Sequence, residues 1–331
     1  MKRIFRKIRA LGAALLVGCG LLAGLGGCGA ADDGKLRIVT TVYATYDLAL
    51  QMSEKTGIPC GITMLLSPGG ESHAYEPSPN DVAAIQSCDL FIYIGGTSET
   101  WADKIISSSR SGKRNLRMFD CVPLLDEETV EGMEHDHEDE EHDEEEHDHD
   151  HDAHDMEIDE HIWTAPLNAG RMLSAINEEF KALRPDDAEK CDRACAEIMD
   201  ELNALDAEAR DIAENCPKHT LVFADRFPFR YLTHAYGWDY YAAFSGCSSD
   251  TDASAATLSF LIQKVRDENI QTVFYLENSS QKISDAVCKA TGAKAVMLQS
   301  CNNVSKADFQ SRKHYQEFMR ENLAAIREAL S

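Results

Sequence analysis

Positive charge is scarce in this chain: 32 Lys and Arg stand against 57 Asp and Glu in 331 residues, a formal net charge of −25. A surface so acidic repels nucleic-acid phosphates and anionic lipid and attracts cations, which excludes a nucleic-acid binder. Long apolar runs are missing too. Beyond residue 30 no stretch of about 18 uncharged apolar residues occurs, so no internal membrane span is expected. The 11 cysteines are too sparse over this length to form the disulfide framework of a small secreted domain. Setting aside Cys19 and Cys28 of the N-terminal segment leaves nine, an odd number that keeps at least one thiol unpaired within the chain. Signatures of catalysis are also absent: outside a His-rich acidic tract there is no HExxH helix, and there is no GxSxG elbow, Walker loop or GxGxxG after a strand.

What is present is enough chain for two domains with their own cores. It begins with a basic cluster (Lys2, Arg3, Arg6, Lys7, Arg9) followed by an apolar, Gly- and Ala-rich stretch from Leu11 to Gly27, the pattern of an export signal. Leu25-Gly26-Gly27-Cys28 resembles a bacterial lipobox, in which small residues admit a signal peptidase and the Cys thiol takes a diacylglycerol; Leu16-Val17-Gly18-Cys19 is a weaker match. A short transmembrane anchor is the alternative, but the Gly29–Gly34 segment suits a tether.

From Lys35 onward short apolar runs alternate with helical patterns. Strands are predicted at Leu36–Thr41, Gly61–Leu66, Leu90–Ile94 and Leu116–Phe119, with helices at Tyr46–Lys55, Asn80–Ser87 and Glu99–Ser108. The rhythm returns after residue 217, with strands at Thr220–Ala224, Tyr240–Phe244, Thr272–Leu276 and Ala295–Leu298 and helices at Phe229–Tyr236, Ala255–Glu268, Ile283–Thr291 and Asp308–Leu330. Nearly continuous apolar strands separated by helices imply parallel sheets covered on both faces, hence an α/β chain of two lobes. Between them Asn168–Leu183 reads as helix, Pro185 breaks it, and Asp186-Asp187 are placed to cap a second helix to Asn215. Its apolar positions (Cys191, Ala194, Cys195, Ile198, Leu202, Leu205, Ala209) recur at i, i+3 and i+4, and at 1.5 Å per residue it is a rod of roughly 40 Å. Cys191 and Cys195 lie one turn apart on it, as a helix face rather than a bridge.

Glu134–His161 holds eight of the 12 histidines, interleaved with Asp and Glu and almost free of apolar residues. It cannot offset the entropy of ordering, so it is expected to be disordered without a ligand. Together with Asp126, Glu127, Glu128 and Glu131 it carries most of the net charge. Imidazoles suit zinc, copper and nickel, and closely spaced carboxylates add charge, so the tract reads as a multivalent, unselective metal trap; a plain solvated acidic loop is the alternative. The domains expected are a signal segment 1–28, a tether 29–34, an N-terminal lobe 35–166 that includes a disordered His/acid loop 126–160, connecting helices 167–216 and a C-terminal lobe 217–331.

Four stretches carry a family resemblance. Ser67-Pro68-Gly69-Gly70-Glu71-Ser72-His73-Ala74-Tyr75-Glu76-Pro77-Ser78-Pro79-Asn80-Asp81 resembles the first metal-ligand loop of the zinc and manganese solute-binding lipoproteins of ABC importers (the cluster A-I metal-binding family), and Asp159-Glu160-His161-Ile162-Trp163-Thr164-Ala165-Pro166 resembles the second. The His-rich insertion is a mark of the zinc-specific members, and Cys301-Asn302-Asn303-Val304 before a long terminal helix resembles the family's C-terminal end. The resemblance implies two four-stranded α/β lobes joined by one rigid helix, with the metal between them and His73 and His161 as ligands. It fails in the second half. Where the family has a His after the first strand of the C-terminal lobe, this chain reads Val222-Phe223-Ala224-Asp225-Arg226-Phe227-Pro228. Asp225 is the nearest donor, either a ligand or a residue that caps the helix beginning near Phe227 or pairs with Arg226. Asn302 is a poor zinc ligand, so Glu277 is the candidate fourth donor, with Cys301 behind it. Cys247 and Cys301 follow C-terminal-lobe strands and are either bridged or two separate thiols. His219, His234 and His314 have no motif and read as surface or capping residues.

The function implied is capture of a divalent metal outside the cytoplasm, zinc first and manganese second, for delivery to an ABC permease by a lipid-anchored, non-enzymatic receptor. A zinc hydrolase would need an open water position and a general base, for which Glu71, Glu76 or Glu277 are the candidates. A metal buffer or adhesin would rely on the His tract alone, and deleting Glu134–Asp159 would then abolish all binding.

Overall fold

The computed structural model describes residues 34–70, 74–109, 113–133, 157–248 and 252–331. Cys19, Cys28, His73 and the tract 134–156 lie outside the described residues. Leu36–Ser331 form one compact unit, to which all that follows refers.

Each half is built on four parallel strands. In the first, β1 (Leu36–Thr40), β2 (Cys60–Met64), β3 (Leu90–Tyr93) and β4 (Arg114–Arg117) lie in the order β2-β1-β3-β4. In the second, β5 (Thr220–Phe227), β6 (Asp239–Ser245), β7 (Thr272–Leu276) and β8 (Lys294–Leu298) lie in the order β6-β5-β7-β8. The inner strands are buried runs, Leu90–Tyr93 throughout and Leu221–Ala224 likewise, as helices on both faces demand. Helices α1 (Tyr43–Thr56), α2 (Pro79–Ser87) and α3 (Thr100–Ser107) belong to the first lobe. The connection is α4 (Pro166–Leu183) and α5 (Ala188–Asn215), and the second lobe has α6 (Arg230–Tyr236), α7 (Ala255–Asp267), α8 (Lys282–Thr291), α9 (Lys306–Ser311) and α10 (Tyr315–Leu330). Among the described residues no helix is long and apolar enough to cross a membrane. In both sheets the chain reverses direction of travel between the first strand and the third, β1 beside β3 and β5 beside β7. The loops leaving those strand ends diverge and open a crevice.

Four expectations need correction. The strand predicted at Leu116–Phe119 runs instead over Arg114–Arg117. It is a polar sheet edge, and Met118 and Phe119 turn into the core as part of a 3-10 turn. The terminal helix breaks at Arg312, which takes a left-handed φ of 57°, so that Ser305 caps α9 and His314 starts α10. Asp187 stands at the N-cap position of α5 without a capping bond and pairs with Lys190 at 2.5 Å. Finally, the flanks of the acidic loop, expected to be disordered over 126–160, are fixed at 126–133 and 157–160. Asp126 bridges to Ile158, Glu128 meets Arg230 (3.1 Å), Glu131 meets Lys264 (3.3 Å), and the Cys247 amide donates to Glu127 (3.0 Å). Opposite charges on the second lobe hold what its composition alone would leave loose.

The largest core runs through both lobes. Helix α5 buries Cys191, Ala194, Ile198, Leu202, Leu205, Ala209 and Ile212 on one stripe against α4, α1 and α10, while Cys195 is half-buried. The start of α1 is completed across the crevice, because the amides of Tyr43 and Ala44 donate to the carbonyls of Asn302 (2.9 Å) and Cys301 (3.1 Å). First-turn amides have no partner inside their own helix, and Val42 offers no side-chain cap, so the other lobe supplies one. Reciprocal amide bonds between Gln51 and Gln316 (2.9 and 3.0 Å) and the bond from the Tyr315 amide to Asp47 (2.9 Å) tie α1 to α10.

His314 Nδ1 lies 2.8 Å from the buried Asp47, with Glu54 and Glu317 nearby. The hydrogen bond to Asp47 raises its pKa above the ordinary imidazole value, against partial burial. A raised folded pKa contributes stability that is complete below the unfolded value of about 6.5 and is lost as pH rises through the folded value. Wild type should therefore out-melt His314→Gln clearly near about pH 5.5, and the gap should shrink by about pH 8. Paired melts across that range check it, and a gap that widens with pH would refute it.

Candidate metal centre

A cavity of about 260 Å³ lies where the strand ends of both lobes converge. Gly69 and Gly70 reach it from the loop after β2, Arg226 and Pro228 from the end of β5, Gly246 from after β6, Glu277 and Asn278 from after β7, and Ser300, Asn302 and Asn303 from after β8. His161 completes the lining from the segment that leads into α4.

His161 is fully enclosed. Its backbone amide and its Nδ1 both contact Asp159 Oδ1 (2.8 and 3.2 Å), and its ring stands edge-on to Trp163 with centroids 5.5 Å apart. Burial pushes its pKa down, but Asp159, Glu160 and Glu127 outweigh that and the net direction is up. The residue before it is anchored as firmly: Glu160 accepts from the Ser98 amide (2.7 Å), the Ser98 hydroxyl and the Thr97 hydroxyl (3.1 Å). Gly96 lies so close to Glu160 that a Cβ there would overlap its side chain, and a Cβ on Gly246 would meet the Phe227 carbonyl at 2.8 Å and the His161 ring at 3.2 Å. Both glycines are there for clearance.

Glu277 faces the same cavity from the other lobe, directly after β7. The amide of Ser300 (2.8 Å) and its hydroxyl both donate to the carboxylate, while burial pushes the pKa up to about 7. His161 and Glu277 are thus brought together, a nitrogen and an oxygen donor from opposite walls, as a borderline divalent ion such as zinc accepts. The described part of the loop after β2 borders the cavity through Gly69 and Gly70, and Asn303 Nδ2 donates to the carbonyls of Ser67 and Gly70 at 2.8 Å each.

Asp225 does not join them. Its carboxylate accepts the amides of Arg226 (2.9 Å) and Leu276 (3.1 Å), bracing β5 to β7 where the register of β5 on β6 shifts between Phe223 and Arg226. Nor does it cap α6, which begins at Arg230 with Phe229 at its N-cap. Asp225→Ala should leave the buried Leu276 amide unpartnered and cost about 1–3 kcal/mol, with metal affinity nearly unchanged. Chemical denaturation beside a zinc titration measures both, and a large loss of affinity would restore Asp225 as a ligand. Cys301 is buried in the core rather than in the cavity wall, and Cys247 and Cys301 are two free thiols, not a bridge. His314 caps α10, as its lack of a motif suggested.

Arg226 also lines the cavity, although the donor pattern gave it no part there. A guanidinium cannot ligate a metal, so Arg226 offers no donor in place of the missing His. In sequence it is one of two adjacent charges, with Asp225, near the end of an otherwise largely apolar central strand.

The chain matches the family model described as zinc-uptake complex component A, periplasmic, over residues 38–329. It is 29% identical over 297 residues to the zinc-binding lipoprotein AdcA of Streptococcus pneumoniae, covering 89% of this chain and 56% of that protein, so it spans little more than half of that relative. It is also 29% identical over 316 residues to the high-affinity zinc uptake system protein ZnuA of Bacillus subtilis, covering 96% and 94% of the two chains. The crystal structure of the Zn(II)-bound ZnuA-like domain of the pneumococcal protein superposes with a TM-score of 0.71 at 27% identity, over 90% of this chain and 99% of that one. With strand order, crevice and sequence match in agreement over nearly the whole length, this chain belongs to the family of periplasmic component A proteins of zinc-uptake complexes.

Proposed function

We propose that the chain captures zinc outside the cytoplasmic membrane and hands it to the permease of an ABC importer, as a carrier and not an enzyme. The observation that supports this best is the pairing of His161 and Glu277 across one cavity, each held from behind by its own hydrogen bonds. His73 is the proposed third ligand. The 134–156 tract is the proposed collector, which binds weakly and passes metal on. Manganese is the competing cargo, and Cys28 is the proposed lipid anchor of the mature chain. Relatives named as zinc-binding and zinc-uptake proteins support the same reading.

The test is a zinc titration of a chain lacking 134–156, with manganese as competitor. The deletion must stop short of Glu157, because the Glu127 amide donates to its carbonyl (2.7 Å) and Asp159 supports His161. One tight zinc site per chain is expected to survive. If tight binding disappears with the tract, the protein is a buffer rather than a receptor.

A further inference from the structure

The two segments that flank the tract pair with each other before His161 is reached. Asp126 opposes Ile158 in an antiparallel bridge, and the amides of Glu127 and Asp159 donate to the carbonyls of Glu157 (2.7 Å) and Leu125 (3.0 Å). In this register Leu125 and Asp159 stand opposite each other, and residues so placed ordinarily exchange both of their backbone bonds. Here one of the two is diverted. The Leu125 amide donates to the hydroxyl of Tyr231 (3.1 Å), and that hydroxyl donates to the Asp159 carbonyl (2.9 Å). Tyr231 is a buried residue of α6 in the second lobe, so one lobe inserts a hydroxyl into a rung of the other. Burial holds the phenol well above its ordinary pKa, and the proton that it donates stays in place.

The rung matters for what it carries. Asp159 is bonded to Leu125 through its amide and to Tyr231 through its carbonyl, so its backbone is fixed from both sides. Its Oδ1 then meets the amide and Nδ1 of His161 at 2.8 and 3.2 Å. Tyr231 does not itself line the cavity. A ligand that must be held within about 0.5 Å of its productive position depends on such supports, and loss of one costs about 10- to 100-fold in metal affinity. We propose that Tyr231 is a positioning residue of the zinc site: its hydroxyl, brought by the second lobe, spaces Asp159 from Leu125 and so aims His161 at the metal. This rests on the zinc-carrier reading above and adds how the second lobe governs a donor carried by the first. Without the hydroxyl, the Leu125 amide and the Asp159 carbonyl can close on each other directly. Both groups are then satisfied and the fold persists, but the Asp159 peptide has turned from its place.

The experiment uses the full chain, with free zinc fixed by a competing chelator so that the tight site is read apart from weak ones. Tyr231→Phe should weaken that site by about 10-fold while its zinc-free form melts within about 3 °C of wild type. A double-mutant cycle with Asp159→Ala then shows the route. If Tyr231 acts through Asp159, its loss changes affinity by less than about twofold once the carboxylate is gone, whereas in an independent structural role the two losses multiply. Should Asp159→Ala fail to fold, imidazole 15N spectra of zinc-free wild type and Tyr231→Phe decide in its place. The Nδ1–H signal of His161 should be sharp in wild type and broadened or mixed with the other tautomer in the variant, and identical signals overturn the inference. Unchanged affinity in Tyr231→Phe, or losses that multiply, overturn it and leave the carrier reading standing. So does a Tyr231→Phe chain that unfolds at the assay temperature, since the hydroxyl would then hold the fold rather than the ring. Absence of any tight site in wild type overturns both.

Discussion

Replacing His161 with Ala is expected to weaken the tight zinc site by more than about 100-fold, because losing even the residue that supports a ligating His costs about 10- to 100-fold and this change removes the proposed ligand itself. The ring is preset for the task. Asp159 engages Nδ1, which fixes the tautomer that offers Nε2, and Trp163, Gly246 and the enclosed setting prevent the ring from swinging away. Asp159→Asn should therefore reproduce part of the loss, within about 10- to 100-fold, while leaving the His161 ring in place. Chelator competition on both variants, with circular dichroism to confirm folding, gives the ranking. Equal affinities for wild type and His161→Ala would remove His161 from the site.

Trp163→Ala is expected to be the most destabilising single change near the centre, at about 3–5 kcal/mol for a large buried aromatic. Trp163 is 2% exposed, its Nε1–H donates to the Ser300 carbonyl at 2.7 Å, and its backbone carbonyl accepts from the Tyr315 hydroxyl at 2.6 Å. A fall in melting temperature on the order of 10 °C follows for a chain of this size. Zinc affinity should fall as well, since Ser300 is the residue that clasps Glu277. Trp163→Phe separates the two contributions: it keeps most of the apolar volume and loses only the N–H bond, so it should recover most of the stability. If Trp163→Ala melts within about 2 °C of wild type, the packing account is wrong.

How much of this was legible in the sequence depends on what each element had to satisfy. β7 was read over the same residues it occupies, because a short run of β-branched and aromatic residues free of charge has one placement in a sheet covered on both faces. β4 was misplaced by two residues, since an edge strand has one wet face and its apolar signal is weak. The break at Arg312 had no Gly or Pro to announce it; only the spacing of Ser305 to Asp308 and of His314 to Glu317 marks two helix starts where one helix was expected. His161 and Glu277 could be singled out as candidates because donors declare themselves by type, and both line the cavity. Asp225 was harder to read, because a carboxylate that accepts backbone amides, as it does from Arg226 and Leu276, looks in sequence like one that binds metal.

The first amides of α1 bond to carbonyls of the 301–302 loop, and α10 crosses back to pack on α1. Neither lobe is therefore a complete folding unit, although each has its own sheet. Separating them would strip a helix start of its acceptors and expose the shared core at the same moment, so loss of one lobe's structure entails loss of the other's. Leu36–Ser331 should accordingly unfold as one cooperative body with a single calorimetric transition. Metal must then enter and leave by local rearrangement of the loops at the strand ends, while the frame behind them stays closed.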